Sequence, residues 1–127
     1  MRGARSAVRT DEAPPPGGSY SQAIRWGDLL FVSGQTPRDL DRRPVDGGFR
    51  EQAERTYANL RAVVEAGGAT MASGLQLTVY LKDFADAAIA DEVFAAAFPE
   101  PRPARTTVAS EIPVSIEIDG IFGIVAR

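Results

Sequence analysis

The chain has 127 residues, a net charge of −3, and neither cysteine nor histidine. These absences exclude disulfides, thiolate nucleophiles, histidine general bases and the common zinc sites. Apolar residues make up 44% and charged residues 24% of the chain, which is typical of one globular domain. The basic residues are scattered rather than gathered in a patch, so a nucleic-acid partner is not expected.

The N-terminal part of the chain is predicted to be irregular apart from one short strand. Residues 1–6 are predicted to be a flexible tail, and a single domain is predicted over residues 7–127, beginning with an edge strand at 7–10. Residues 11–18 hold three prolines and two glycines, which favour a surface loop because proline lacks a backbone hydrogen-bond donor. No signal-peptide h-region or membrane-length apolar run is present, and we expect a cytoplasmic protein.

The residues that follow predict a hairpin, a charged loop and a helix. Residues 20–26 and 28–35 are apolar and aromatic runs separated by Gly27, which is typical of a β-hairpin. The loop at 36–48 carries charges, prolines and glycines. From residue 49, apolar side chains recur at helical spacing and the helix is expected to end at a glycine pair; the residues concerned are Ala53, Tyr57, Leu60, Val64, Gly67 and Gly68.

The second half of the chain adds one strand, one helix and two further strands. Residues 75–83 are rich in β-favouring side chains, and the next helix has an aspartate cap, an apolar face and a proline after its last turn. Residues 105–112 and 115–126 are predicted to be strands and to form a second hairpin. We therefore expect an α+β fold with one mixed sheet and both helices on one face.

Two helices can cover only one face of such a sheet, so the other face needs an explanation. In the last strand, alternate residues form two sets because side chains point to opposite faces with a period of two. The set facing the helices is apolar, and the opposite set contains Glu117, Asp119, Ile121 and Val125. Such a mixed face suits an oligomer interface with a polar pocket, or a solvated sheet with two exposed apolar residues.

Arg105 and Glu117 are the two candidate catalytic groups. The permanently charged guanidinium of Arg105, on the same strand face as Thr107, could hold a carboxylate through two hydrogen bonds. It could equally form a structural ion pair with Glu111 or with a helix glutamate. Glu117 lies between two isoleucines, where burial favours the protonated acid and suits acid–base catalysis; alternatively, it faces solvent or an interface.

Other positions could line a pocket. Tyr20 follows the proline-glycine loop, where its phenol could bind a ligand or pack at the start of the strand. Ser33 and Gly34 lie near the end of the hairpin, and the glycine would permit close approach of a ligand or simply end the strand. Asp91 is interpreted as a helix-surface residue. The sequence has no GxGxxG, no P-loop and no metal-ligand cluster.

Taken in order, several stretches resemble the YjgF/YER057c/UK114 (Rid) family of reactive-intermediate deaminases. The resemblance covers nearly the whole chain, residues 7 to 126, and includes a helix with Gln52 and Asn59. The set of motifs is specific in its order and spacing, although no single one is decisive. The motifs are GGSYSQAI (17–24), LLFVSGQTPRD (29–39), TVYLKD (78–83), PARTTV (103–108) and IEID (116–119).

The resemblance implies a chorismate-mutase-like fold and a homotrimer with active sites in clefts between subunits. It implies hydrolysis of small 2-imino and 2-enamino acids, such as 2-aminoacrylate, to 2-keto acids and ammonia, with no metal or organic cofactor. Arg105 would bind the substrate carboxylate and Glu117 would activate water. Tyr20 would line the pocket, and main-chain groups would contribute at Ser33, Gly34 and Thr107.

Three departures from the family pattern concern the substrate. Ser19 replaces the usual proline before the tyrosine, and the segment before Glu117 is shorter than usual. Asp91 stands where an asparagine often lies at the neighbouring subunit's side of the pocket, and an inward-pointing acid would disfavour an anionic substrate. The alternatives are a pathway enzyme acting on a larger imine or enamine, a non-catalytic ligand- or partner-binding protein, and an endoribonuclease or translation inhibitor.

Overall fold

The computed structural model describes residues 4–125. Within them lie six strands and two α-helices, with a 3-10 turn at Phe84–Asp86 before the second helix. In chain order these elements are β1 (Arg5–Val8), β2 (Ala23–Trp26), β3 (Leu29–Gln35), α1 (Phe49–Ala66), β4 (Ala69–Leu81), α2 (Ala87–Ala97), β5 (Ala104–Ala109) and β6 (Ile116–Ile124).

The six strands form one sheet in the order β1-β2-β3-β6-β4-β5. Neighbouring strands are antiparallel except for β4 and β5, which are parallel. The predicted α+β class, the mixed sheet and the β2–β3 hairpin are therefore confirmed. Gly27 supplies the positive φ of 60° that the hairpin turn needs.

The predicted second hairpin is wrong. β5 does not pair with β6: α2 crosses over from β4 and returns the chain to a parallel position at the sheet edge. β6 instead lies between β3 and β4. The residue patterns explain this placement, because the alternating apolar face of β6 needs a covered central position, whereas the largely exposed β5 suits an edge.

The hydrophobic core lies between the two helices and one face of the sheet. In β6 the residues predicted to face the helices are buried, and they alternate with half-buried residues of the opposite face. Each buried aliphatic side chain contributes roughly 1.5–3 kcal/mol to folding. The core includes Leu30 and Val32 of β3, Leu60, Val63 and Val64 of α1, Leu77, Val79 and Leu81 of β4, Val93 and Phe94 of α2, and Ile116, Ile118, Phe122 and Ile124 of β6.

Gly120 makes room for a neighbouring side chain and does not form a bulge. A Cβ atom at this position would lie 2.8 Å from Cδ1 of Leu77 on the adjacent strand. The extra residues at the register shifts lie in the flanking strands, between Val32 and Gln35 of β3 and on either side of Gly74 in β4. β6 itself therefore runs without an extra residue between its two neighbours.

The face of the sheet that carries no helix is here called the open face. It presents apolar side chains, including those of Trp26, Phe31 and Val108, all of them exposed. Half-buried Tyr80, Glu117 and Asp119 lie on the same face. The open face is therefore the mixed surface that the sequence predicts.

The N-terminal strand begins two residues earlier than predicted, at Arg5. Part of the predicted tail, residues 1–3, lies outside the described residues. Among residues 4–125, neither helix is long and apolar enough to cross a membrane.

Two buried amides fix the loops to the sheet and to α1. The side chain of Gln22 accepts a hydrogen bond from the Thr10 amide at 2.7 Å and donates to the carbonyls of Thr10 and Pro14. The Asn59 side chain donates to the carbonyls of Thr36 and Arg38, both at 2.9 Å. Proline-containing loops cannot pair as strands, so these amides replace the missing main-chain partners.

We expect Gln22→Ala to lower the free energy of unfolding by about 2–3 kcal/mol, because it leaves buried main-chain groups of the loop without partners. The measurement is urea unfolding at equilibrium. The matched control is Gln76→Ala, since the Gln76 amide donates only within its own strand, to Leu77 and Thr78. An equal loss in the two variants would contradict the role given to Gln22.

Candidate functional site

Arg105 lies at a small cavity between β4, β5 and α2, here called the arginine pocket. Its guanidinium carbon is 4.6 Å from the ring centroid of Phe94, and Nη1 donates to Oδ1 of Asp91 at 2.7 Å. The cavity has a volume of about 120 Å³ and is lined by Val79, Phe84, Ala87, Ala90, Asp91, Arg105 and Thr107.

The register of β5 explains why Arg105 and Thr107 share this cavity. Arg105 is paired with Leu77 and Thr107 with Val79 in the neighbouring strand, and both partners belong to the core. Paired residues in adjacent strands point to the same face, so both β5 side chains lie on the helix side of the sheet. Arg105 and Thr107 thus share one strand face, as predicted, and Asp91 lines the same cavity from α2 of the same chain.

The ion pair of Arg105 differs from the one predicted as the structural alternative. Its partner is Asp91 on α2, and neither Glu111 nor a helix glutamate. The two side chains are 30% and 63% exposed, and ion pairs with this access to water contribute at most about 1 kcal/mol. Asp91 is thus both a helix-surface residue and a pocket residue, and its contact with Arg105 is weak enough to exchange with a ligand.

Glu117 lies on the open face, paired with Tyr80 of β4. Partial burial raises the pKa of its carboxyl, the nearby charge of Asp119 raises it further, and Arg38 opposes the shift. The carboxylate lies directly over Gly34 of β3, where the first atom of any side chain would overlap it. Gly34 therefore allows close approach, although the group that approaches is a carboxylate of this same chain.

Ser33 precedes Gly34 in β3 and Tyr20 shares a concavity with Gly34, and the hydroxyl groups of both residues form hydrogen bonds within the chain. The hydroxyl of Tyr20, a residue 48% exposed, accepts from the Gly17 amide at 3.0 Å. The Ser33 hydroxyl donates to the Ser21 carbonyl at 2.6 Å. Tyr20 and Gly34 line one shallow concavity, and we call Tyr20, Ser33, Gly34 and Glu117 the glutamate half-site.

The arginine pocket and the glutamate half-site lie on opposite faces of one sheet. Arg105 pairs with a buried core residue of β4, whereas Glu117 pairs with the half-buried Tyr80 of the open face. Within one chain the predicted catalytic residues are therefore not brought together.

A larger cavity, with a volume of about 600 Å³, lies elsewhere, between β1 and the proline-rich loop. Tyr20 lines it, but Arg105 and Glu117 do not. Its size alone does not connect it with the acid–base chemistry, so the two smaller concavities are the better candidates. Among residues 4–125, no group of three or more histidine, cysteine, aspartate or glutamate side chains could hold a metal ion.

Three residues that neighbour Arg105 or Glu117 in the structure are absent from the predicted site. Phe94 underlies the Arg105 guanidinium, and the Tyr80 hydroxyl donates to Asp119, which neighbours Glu117 on the open face. The two-residue period could have identified Asp119 as a neighbour of Glu117. Phe94 and Tyr80 could not be found this way, since their contacts depend on how α2 and β4 dock.

The chain matches the family model described as Endoribonuclease L-PSP over residues 10–122. It belongs to this family, the YjgF/RidA family. A RutC family protein of Pyrococcus abyssi is 41% identical over 122 residues, covering 93% of this chain and 96% of the relative. A 2-iminobutanoate/2-iminopropanoate deaminase of Dermatophagoides farinae is 35% identical over 118 residues, covering 90% and 92%.

The solved structures of family members share the fold. RidA from an Antarctic Psychrobacter superimposes with a TM-score of 0.88 at 36% identity, covering 94% of this chain and 99% of that one. The predicted family membership is therefore confirmed, together with the α+β architecture of a sheet and two helices.

The raised pKa of Glu117 predicts a pH-dependent contribution to stability. The folded protein holds this proton more tightly than the unfolded chain, so Glu117 increasingly destabilises the fold as pH rises through its unfolded and then its folded pKa. We expect Glu117→Gln to stabilise the protein more at about pH 7 than at about pH 4, measured by urea unfolding. Glu111→Gln, at an exposed position, is the control, and a Glu117→Gln effect independent of pH would contradict the prediction.

Proposed function

We propose that this protein hydrolyses reactive 2-imino and 2-enamino acids to 2-keto acids and ammonia. The observation that carries the proposal is a guanidinium, Arg105, at a cavity far smaller than a drug-sized pocket. A small carboxylic acid matches the guanidinium of Arg105 and the size of this cavity. The relative named as a 2-iminobutanoate/2-iminopropanoate deaminase supports the same substrate class.

The reaction requires only water and proton transfer. The enamine tautomerises to the imine, water adds to the imine carbon, ammonia leaves from the tetrahedral intermediate, and the carbonyl of the keto acid forms. Arg105 would orient the substrate through its carboxylate. Glu117 would take a proton from the attacking water and return one to the departing nitrogen, a task suited by its raised pKa. No metal or organic cofactor enters this scheme.

The remaining predicted residues would have binding roles. The strand position of Thr107 places its side chain in the arginine pocket. Ser33 and Gly34 would contribute main-chain groups beside Glu117, because the Ser33 hydroxyl already donates to Ser21. Tyr20 would cover the substrate from the proline-glycine loop.

A complete site needs two copies of the chain. Arg105 and Glu117 lie on opposite faces of one sheet. The arginine pocket of one subunit must therefore be completed by the glutamate half-site of a neighbouring subunit. The exposed apolar residues of the open face, such as Phe31 and Val108, would be covered in the same assembly. A homotrimer with its sites between subunits satisfies both requirements.

We expect Arg105→Ala to lower kcat/KM for freshly generated 2-iminobutanoate at least about 100-fold, because the carboxylate loses its charged partner. Glu117→Gln should lower kcat by about 100-fold or more. Arg102→Ala is the matched control, since Arg102 is an exposed arginine outside the lining of the pocket. The wild-type protein must exceed the rate in buffer and leave RNA intact; RNA cleavage without imine hydrolysis would overturn the proposal.

Mixing tests the shared site directly. Arg105→Ala and Glu117→Gln subunits, each inactive alone, should regain part of the activity after they are unfolded and refolded together. A mixed assembly contains some sites with an intact Arg105 from one copy and an intact Glu117 from another. No recovery in assemblies shown to be mixed would mean that each site uses one chain only.

A further inference from the structure

We propose that Asp91 makes the arginine pocket selective for a zwitterionic ligand, in which a cationic nitrogen lies next to the carboxylate, over a simple carboxylate anion. The inference rests on the proposed function and names the ionisation state of the substrate that the site accepts. Asp91 is then a residue that determines specificity at the same pocket.

The charges of the pocket are balanced. Arg105 and Asp91 are the charged residues among those that line it, and their side chains are in direct contact, with Nη1 and Oδ1 separated by 2.7 Å. The remaining walls are apolar apart from Thr107. The neighbouring acid on α2, Glu92, pairs with Arg50 on α1 at 2.6 Å and does not line the pocket.

A simple anion would meet a guanidinium that is already shared. Arginine has five N–H donors, and the contact with Asp91 uses Nη1, so a second carboxylate can dock on the remaining donors. That carboxylate would then lie a few ångströms from the carboxylate of Asp91. Like charges at this distance repel.

A zwitterion avoids this repulsion because it brings its own cation. Its carboxylate can pair with Arg105 while its nitrogen donates to Asp91, so that opposite charges alternate around the contact. Arg105 and Asp91 present their charges side by side, as do a carboxylate and a nitrogen on adjacent carbon atoms. The site therefore matches a 2-substituted acid with a protonated nitrogen better than a keto acid.

For the proposed reaction, the matching species is the N-protonated imine, the iminium form of a 2-imino acid. The iminium carbon is more electrophilic than that of the neutral imine, so the pocket would select the form that water attacks most readily. The C=N bond is replaced by C=O, and the zwitterion and one water give the keto acid anion and an ammonium ion. The product has lost its cation and should leave readily.

Two stable ligands with the same carbon skeleton test the charge preference. In calorimetric titrations of the assembled protein, we expect 2-aminobutanoate, a zwitterion, to bind about fivefold more tightly than 2-oxobutanoate, an anion. Asp91→Asn keeps the size of the side chain and removes its charge. This variant should bind 2-oxobutanoate more tightly and 2-aminobutanoate more weakly than the wild type does. The ratio of the two affinities should change by about tenfold or more.

The matched control is Glu92→Gln, which removes an equal charge from the next residue of α2 outside the pocket and should leave the ratio unchanged. An unchanged ratio in Asp91→Asn, or an equal change in Glu92→Gln, would overturn the inference, as would a failure of the wild type to bind either ligand. Imine hydrolysis measured in parallel separates the two proposals. If the wild type hydrolyses imines but Asp91→Asn leaves the affinity ratio unchanged, the inference about Asp91 is wrong and the proposed function stands. If Asp91→Asn changes the affinity ratio as expected but the wild type hydrolyses no imine, the proposed function is wrong and the charge preference stands.

Discussion

The two-residue period of the strands, combined with helices on one side only, determines the faces of the sheet on which Arg105 and Glu117 lie. Arg105 is paired with a core residue of β4 and must face α2. Glu117 is paired with Tyr80 and must face the open side. No rotation of either side chain can carry it through the backbone of the sheet to the opposite face. A chemistry that needs both groups consequently becomes a property of an assembly.

The two charged groups are held in different ways. Arg105 is positioned by contacts, with the ring of Phe94 beneath its guanidinium and the carboxylate of Asp91 beside it. Glu117 occupies the space left by Gly34 and lies next to a second acid, Asp119. The first arrangement keeps a permanent cation oriented and partly neutralised. The second raises the pKa of Glu117 and so favours its protonated carboxyl group.

Local patterns in the sequence predict much of this fold, because a helix or a hairpin is specified by residues close together in the chain. The length of α1, its end before Gly67 and the turn at Gly27 all follow from such patterns. The partner of β5 could not be predicted in the same way. A hairpin with β6 and a parallel return beside β4 are both compatible with residues 104–116, and the choice depends on core contacts distant in sequence.

In the candidate site, too, the sequence predicts the residues but not the contacts that depend on distant parts of the chain. The resemblance to the family identifies Arg105, Glu117, Tyr20 and the other site residues, but it does not indicate their contacts. Asp91 pairs with Arg105 only because α2 docks on β5 with that side of the helix towards the strand. An acid and a base 14 positions apart carry no local signal of contact, so the neutralised arginine could be recognised only in three dimensions.

The amide of Gln22 has a further consequence for the proline-rich loop. The side chain of Gln22 bonds the main-chain groups of Thr10 and Pro14. In a regular sheet an additional strand would provide these hydrogen bonds. The route of the loop is therefore encoded outside the loop, at a position inside the hairpin segment. Tyr20 lies two residues before Gln22, so the position of this exposed aromatic ring depends on hydrogen bonds made by a buried neighbour in the chain.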